Sequence, residues 1–191
     1  GMANISQNRP MGPDTLFRIA SMTKPITALG IMILVDEGKI KVDDPVEKYL
    51  PEFKGQMQVA SKQDGMLTLK KPARLITVRD LLTHTSGLPG GFPPGASDLY
   101  GRRHLSLAEA VLLSSQQPLD FDPGSKWAYC NAGIDTLGRI IEVAAAEPFC
   151  AAARMSARTM RPPGPVPRTR DGSTPFSRAR RLASGEIRRR S

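Results

Sequence analysis

Between Pro25 and Asp36 nearly every residue is apolar: Ile26, Ala28, Leu29, Ile31, Met32, Ile33, Leu34 and Val35. A helix apolar on every side belongs in the middle of a fold, not on its surface. The stretch therefore predicts one central, buried helix over about 21–37. Asp36-Glu37-Gly38 ends it, with Gly38 suited to the left-handed residue past a helix. Pro25 falls in the first turn, where a missing N–H costs little. At its head stand Ser21 and Lys24, three residues apart. On a helix that spacing puts both side chains on one face, roughly 5–6 Å apart at Cβ. A serine hydroxyl attacks only when a base takes its proton. Lysine can be that base when burial or positive neighbours lower its pKa. The positive end of the helix disfavours a cation at Lys24 and favours an oxyanion beside Ser21. The alternative is structural: Ser21 caps the helix and Lys24 reaches water.

The charge of +9 narrows the partners less than it suggests. Residues 1–149 hold 16 basic and 16 acidic residues, whereas 150–191 hold 11 Arg against Asp171 and Glu186 alone. The whole imbalance lies in that second segment, whose Arg, Pro, Gly and Ser content predicts disorder. The chain thus divides at about 149 into a folded region and an Arg/Pro-rich tail. The abrupt change in composition also fits a shifted reading frame near residue 150. Cys130 and Cys150 make no disulfide framework, and with only His84 and His104 beside them no metal site or other cofactor is expected. No apolar run reaches transmembrane length. The N-terminal residues carry no signal-peptide core, Gly1 before Met2 resembles a tag remnant, and no compartment is assigned.

Further helices are predicted from their caps. Thr77-Val-Arg-Asp80 opens one that stops at Thr83-His-Thr-Ser-Gly87, and the capping box Ser106-Leu-Ala-Glu109 opens another to about Ser115. A short helix is expected over Val46–Leu50, one small hairpin within 54–76, and a long loop over 88–105. Ile134, Leu137, Ile140 and Ile141 stripe an amphipathic helix over about 132–146. Before it, Tyr129 and Asn131 stand two apart in an extended piece, so both point one way. Read structurally, they are a core tyrosine and a helix N-cap.

Three segments now stand in order: Ser21-Met-Thr-Lys24, Leu81-Leu-Thr-His-Thr-Ser-Gly-Leu88, and Pro123-Gly-Ser-Lys-Trp-Ala-Tyr-Cys-Asn131. Together they resemble the class C β-lactamase family, which includes D-alanyl-D-alanine carboxypeptidases and β-lactamase-like esterases. The resemblance spans about 13–149. It implies a β-lactamase/transpeptidase-like fold of which this chain holds the predominantly α part, a helical lobe with few short strands and the central sheet largely missing. It also implies that Ser21 is acylated, that Lys24 shares its proton, that Tyr129 transfers a proton to the leaving group, and that Asn131 binds substrate and Lys24. His84 carries no catalytic role in that family and reads as a hydrogen bonder at a helix end. Trp127 reads as core, Cys130 as a packed small residue, and His104 as a solvated surface residue. The family's third box, Lys-Thr-Gly or His-x-Gly on a late strand, has no Lys-Thr-Gly counterpart here.

Three functions follow as expectations. The first is a serine hydrolase forming an acyl-enzyme with a β-lactam, a peptidoglycan peptide or a small ester, with no nucleic-acid partner and no membrane span. The second is a non-catalytic truncated remnant whose helical module dimerises over the apolar helix. The third is polyanion binding through the Arg-rich tail. The missing strands predict little turnover from this chain.

Overall fold

The computed structural model describes residues 1–17, 19–91 and 105–149. They fall within one compact unit, Gly1–Ser156. His104, most of the 88–105 loop, and the tail with its expected disorder and frame shift lie outside the described residues.

Among the described residues four α-helices carry the fold: α1 Thr23–Asp36, α2 Val78–Leu82, α3 Leu107–Ser115 and α4 Asn131–Ala145. The sequence points to α1 as the hub. The structure gives that place to α4, which packs against α1, α2 and α3. Leu137, Ile140 and Ile141 of α4 meet Ile31 and Leu34 of α1, Val78 and Leu81 of α2 and Val111 of α3 in one buried cluster. Each such side chain stabilises by about 1.5–3 kcal/mol when fully buried. At Gly30 the two long helices come close: a Cβ there would stand 2.9 Å from Ile141 Cδ1.

The expectation of burial all round α1 is corrected. Thr27, Ile31 and Leu34 are buried, but Ile26, Leu29 and Met32 are 47%, 37% and 42% exposed. A helix apolar on every side gives no signal of which face is covered, and α4 covers one only.

The caps form as expected. Thr77 accepts from the Asp80 N–H at 3.3 Å while Asp80 accepts from the Thr77 N–H at 2.9 Å. Ser106 and Glu109 exchange the same pair of bonds at 3.3 and 2.7 Å. The short helix expected over Val46–Leu50 is instead two 3-10 turns, Val46–Lys48 and Pro51–Phe53, separated by the extended approach to Pro51. Strands are few. A two-stranded antiparallel ribbon joins β1 Met2–Asn4 to β2 Arg9–Pro10, and a hairpin joins β3 Gln58–Gln63 to β4 Met66–Lys70. Asp64 and Gly65, both at positive φ, make its two-residue turn, the strongest short hairpin signal a sequence carries.

One ion pair ties the turns together and predicts acid lability. The Asp44 carboxylate accepts from Lys48 Nζ at 2.7 Å, from the Tyr49 hydroxyl, and from the Lys41 N–H at 3.0 Å. Lys48, then Tyr49, hold its pKa down at about 2. A depressed carboxylate contributes stability above its unfolded pKa, near 3.8, and loses it as pH falls through the folded value. Denaturant unfolding at pH 7 and pH 2.5 should therefore differ less for Asp44→Asn than for the parent chain, by at most about 2 kcal/mol. Equal acid losses in the two proteins would refute this.

Candidate active site

Backbone strain marks the entry to the site. Ala20, at φ +45, opens a 3-10 turn over Ala20–Met22 that runs directly into α1. A non-glycine residue in the left-handed region costs roughly 1 kcal/mol or more and clusters at functional positions. Ser21 follows it and is exposed. Lys24 lies one turn on, and its Nζ donates to Ser21 Oγ at 3.3 Å.

The second half of the site comes from the far end of the sequence. Cys130 is extended at φ −140 and serves as N-cap of α4, with no side-chain capping bond. Tyr129 precedes it, and its hydroxyl stands 2.9 Å from Ser21 Oγ. Asn131 begins α4, and its Oδ1 accepts from Lys24 Nζ at 2.8 Å. Thus Asn131 is not the N-cap of a helix at 132: its side chain turns to Lys24 instead. Nor is Tyr129 a core residue, being 46% exposed.

All four candidate residues, Ser21, Lys24, Tyr129 and Asn131, meet in one cluster. Lys24 donates to Ser21 and Asn131, and the Ser21 and Tyr129 hydroxyls share a hydrogen bond in which either can donate. Lys24 Nζ also lies over the Tyr129 ring, 4.7 Å from its centroid. The nearby Lys24 ammonium, then the Ser21 hydroxyl, hold the Tyr129 phenol below its usual value. That is the direction a proton acceptor needs.

A model of the Beta-lactamase family matches residues 1–162. The chain belongs to the β-lactamase family. It is 39% identical over 161 residues to esterase EstB of Burkholderia gladioli, covering 80% of this chain and 38% of that protein. Among solved structures it resembles EstCE1, a hydrolase with promiscuous acyltransferase activity, at TM-score 0.63 and 32% identity over 81% of this chain and 40% of that one. A penicillin-binding protein of Bacillus halodurans matches at TM-score 0.63 and 30% identity, over 81% of this chain and 42% of that chain. The chain thus spans about two-fifths of these relatives' lengths. A β-lactamase/transpeptidase-like fold, present here as its mostly helical part, agrees with the expectation.

Around the cluster, the other readings divide. Cys130 is buried, its thiol donates to the Pro89 carbonyl at 3.4 Å, and burial pushes its pKa up, as suits a packed residue. Trp127 corrects the expectation of a core residue: it is 64% exposed, with its indole edge-on to His84. Two residues before Tyr129 in an extended segment, it shares the outward side, which was the available signal. His84 does bond at a helix end, to the N-cap Cys130 of α4 at 3.2 Å. Among the described residues, no group of His, Cys, Asp or Glu could hold a metal ion, and no helix is long and apolar enough to cross a membrane.

Proposed function

We propose that Ser21 is the nucleophile of a serine hydrolase that works through an acyl-enzyme. One observation carries the reading: Ser21 Oγ lies 2.9 Å from the Tyr129 hydroxyl and 3.3 Å from Lys24 Nζ, although 108 residues separate Ser21 from Tyr129. Ser21 Oγ attacks the substrate carbonyl carbon. Its proton passes to Tyr129, whose phenolate form Lys24 favours. The N–H groups at the head of the helix, Ser21's own among them, stabilise the oxyanion. As the bond from carbon to the leaving group breaks, Tyr129 hands the proton to the departing oxygen or nitrogen. Water then cleaves the acyl-serine to a carboxylic acid, and Ser21 recovers its proton. Lys24, held by Asn131, donates to Ser21 Oγ and favours the Tyr129 phenolate, and Asn131 also binds substrate.

Small esters are the substrate class best supported, since esterase EstB and the hydrolase EstCE1 are both similar to this chain. Peptidoglycan peptides and β-lactams require the same acyl step. The test is stoichiometric. A nitrophenyl ester and a chromogenic cephalosporin are each mixed with the protein, and the adduct is located by peptide mass spectrometry. One acyl group on Ser21, absent in Ser21→Ala, is expected. Equal release of nitrophenol by both proteins, with no adduct, rules the reading out.

One observation favours a second reading, a non-catalytic helical module that pairs with another copy. Ile26, Leu29 and Met32 form an exposed apolar face on α1, and such a face promotes association. An unacylated Ser21 in a concentration-dependent dimer selects this alternative.

A further inference from the structure

We propose that His84 is a positioning residue for Tyr129, and that only its neutral imidazole, protonated on Nε2, can do this. The inference rests on the reading of Ser21 and Tyr129 as the acyl-transfer pair.

His84 lies just past α2 and its C-cap Thr83, with φ at +58. Histidine is tolerated in the left-handed region only at a cost. That conformation aims both its carbonyl and its ring at one short segment. The His84 carbonyl accepts from the Ala128 N–H at 2.9 Å. Its Nδ1 accepts from the Cys130 N–H at 3.2 Å. The two bonds fall on either side of Tyr129 and fix the backbone from which its side chain springs. The imidazole also lies along the Tyr129 ring, with centroids 5.0 Å apart and planes at 30°. Trp127 closes the other side edge-on at 6.1 Å. A single residue thus sets the position of the tyrosine backbone and backs its ring.

The protonation state follows from the donor. A backbone N–H can donate only to a lone pair, so Nδ1 must be bare. An imidazolium would set one N–H against another and break the bond to Cys130. Among the described residues, the ionisable groups facing His84 are Lys24 from α1 and Tyr129 and Cys130 from the segment before α4. Burial, and then the Lys24 cation, hold its pKa below the usual 6.5. The neutral form therefore persists through neutral pH. Protonation at lower pH frees Cys130 and lets Tyr129 move away from Ser21.

Two variants separate the ring from the acceptor. In His84→Asn an amide oxygen can replace Nδ1, and asparagine tolerates positive φ, but nothing titrates. His84→Phe keeps a ring and removes the acceptor. Each is labelled with [13Cζ]tyrosine, and Tyr129→Phe assigns the Tyr129 resonance. In the parent chain that resonance should show two inflections, one from its own ionisation and one below pH 6.5 from His84. His84→Asn should lose only the lower one. His84→Phe should displace the resonance at every pH and slow Ser21 acylation about 10²-fold, the scale of a proton acceptor misplaced by about 1 Å. A lower inflection that persists in His84→Asn overturns the proposal. So does a folded His84→Phe with an unmoved Tyr129 resonance. If His84→Phe fails to fold, His84→Asn alone decides. The resonance does not depend on activity: a chain that never acylates yet shows both inflections refutes the hydrolase reading and leaves His84 in place.

Discussion

Lys24→Met should slow acylation of Ser21 by about 10³-fold, the range of lost general-base catalysis, because Tyr129 loses the group that favours its phenolate, while α1 stays folded. Methionine keeps the length and apolar stem of lysine, so the change is the loss of the ammonium group. That group makes three contacts: with Asn131 Oδ1 at 2.8 Å, with Ser21 Oγ at 3.3 Å, and over the Tyr129 ring. It is also the first cause of the lowered Tyr129 pKa. Without it the phenol returns toward its ordinary value near 10. The phenolate fraction at pH 7.5 falls, and Ser21 loses both its orienting donor and its acceptor. Lys24→Arg should rescue little, because a planar guanidinium cannot stand as a point charge between Ser21 and Asn131. The checks are the acylation time course by intact mass and the Tyr129 titration. Acylation of Lys24→Met within tenfold of the parent would remove Lys24 from the chemistry.

How much of this was legible in the sequence depends on the range of the interaction. The caps at Thr77 and Ser106 are three-residue patterns, so α2 and α3 start where the sequence predicts. The stripe Ile134, Leu137, Ile140 and Ile141 placed α4 within a residue at each end. The face of α1 was illegible, because a helix without a polar side holds no record of its neighbours. The convergence of Ser21 with Tyr129 cannot be read from either segment. Only the order of three motifs that resemble one family points to it, and the structure brings the side chains together. Lys24 and Asn131 followed the same route. His84 bonds at a helix end as expected, but the expected burial of Trp127 fails, and its edge-on contact depends on the left-handed turn at His84. No residue pattern announces that turn where a histidine, not a glycine, adopts it. The Asp64-Gly65 turn was legible and would have fixed the register of β3 and β4.

Asp80 makes the largest expected contribution to stability among the polar groups described, and it too escaped local reading as anything beyond a cap. Its carboxylate is buried and accepts five bonds: from Arg74 at 2.6 and 2.8 Å, from the Thr77 N–H at 2.9 Å, from the Thr77 hydroxyl at 2.7 Å and from the Thr85 hydroxyl at 3.1 Å. Burial pushes its pKa up, but Arg74 and Thr77 together outweigh that and hold it below the ordinary value. The pair is therefore formed above pH 4 and is lost as pH falls through the folded pKa. Asp80→Ala should cost about 1–3 kcal/mol at pH 7, since it leaves the part-buried Thr77 N–H without its acceptor, whereas the Arg74 guanidinium, 45% exposed, can turn to water. In a domain of this size that lowers Tm by roughly 5 °C. The loss should also reach the site. Thr85 N–H donates to the Asp80 carbonyl at 2.9 Å, and the Thr85 carbonyl accepts from Gly124 at 2.8 Å. Next, Gly87 at φ +79 packs where a Cβ would stand 2.2 Å from the Phe121 carbonyl oxygen. Residues 85–87, just past His84, are thus held by contacts that begin at Asp80. Asp80→Asn should fall between the two, keeping acceptors for Thr77 but losing the charge opposite Arg74. Calorimetry decides it: a Tm within two degrees of the parent for Asp80→Ala would show that the Arg74 pair contributes nothing net, and that residues 85–87 hold their shape through Gly87 and Gly124 alone.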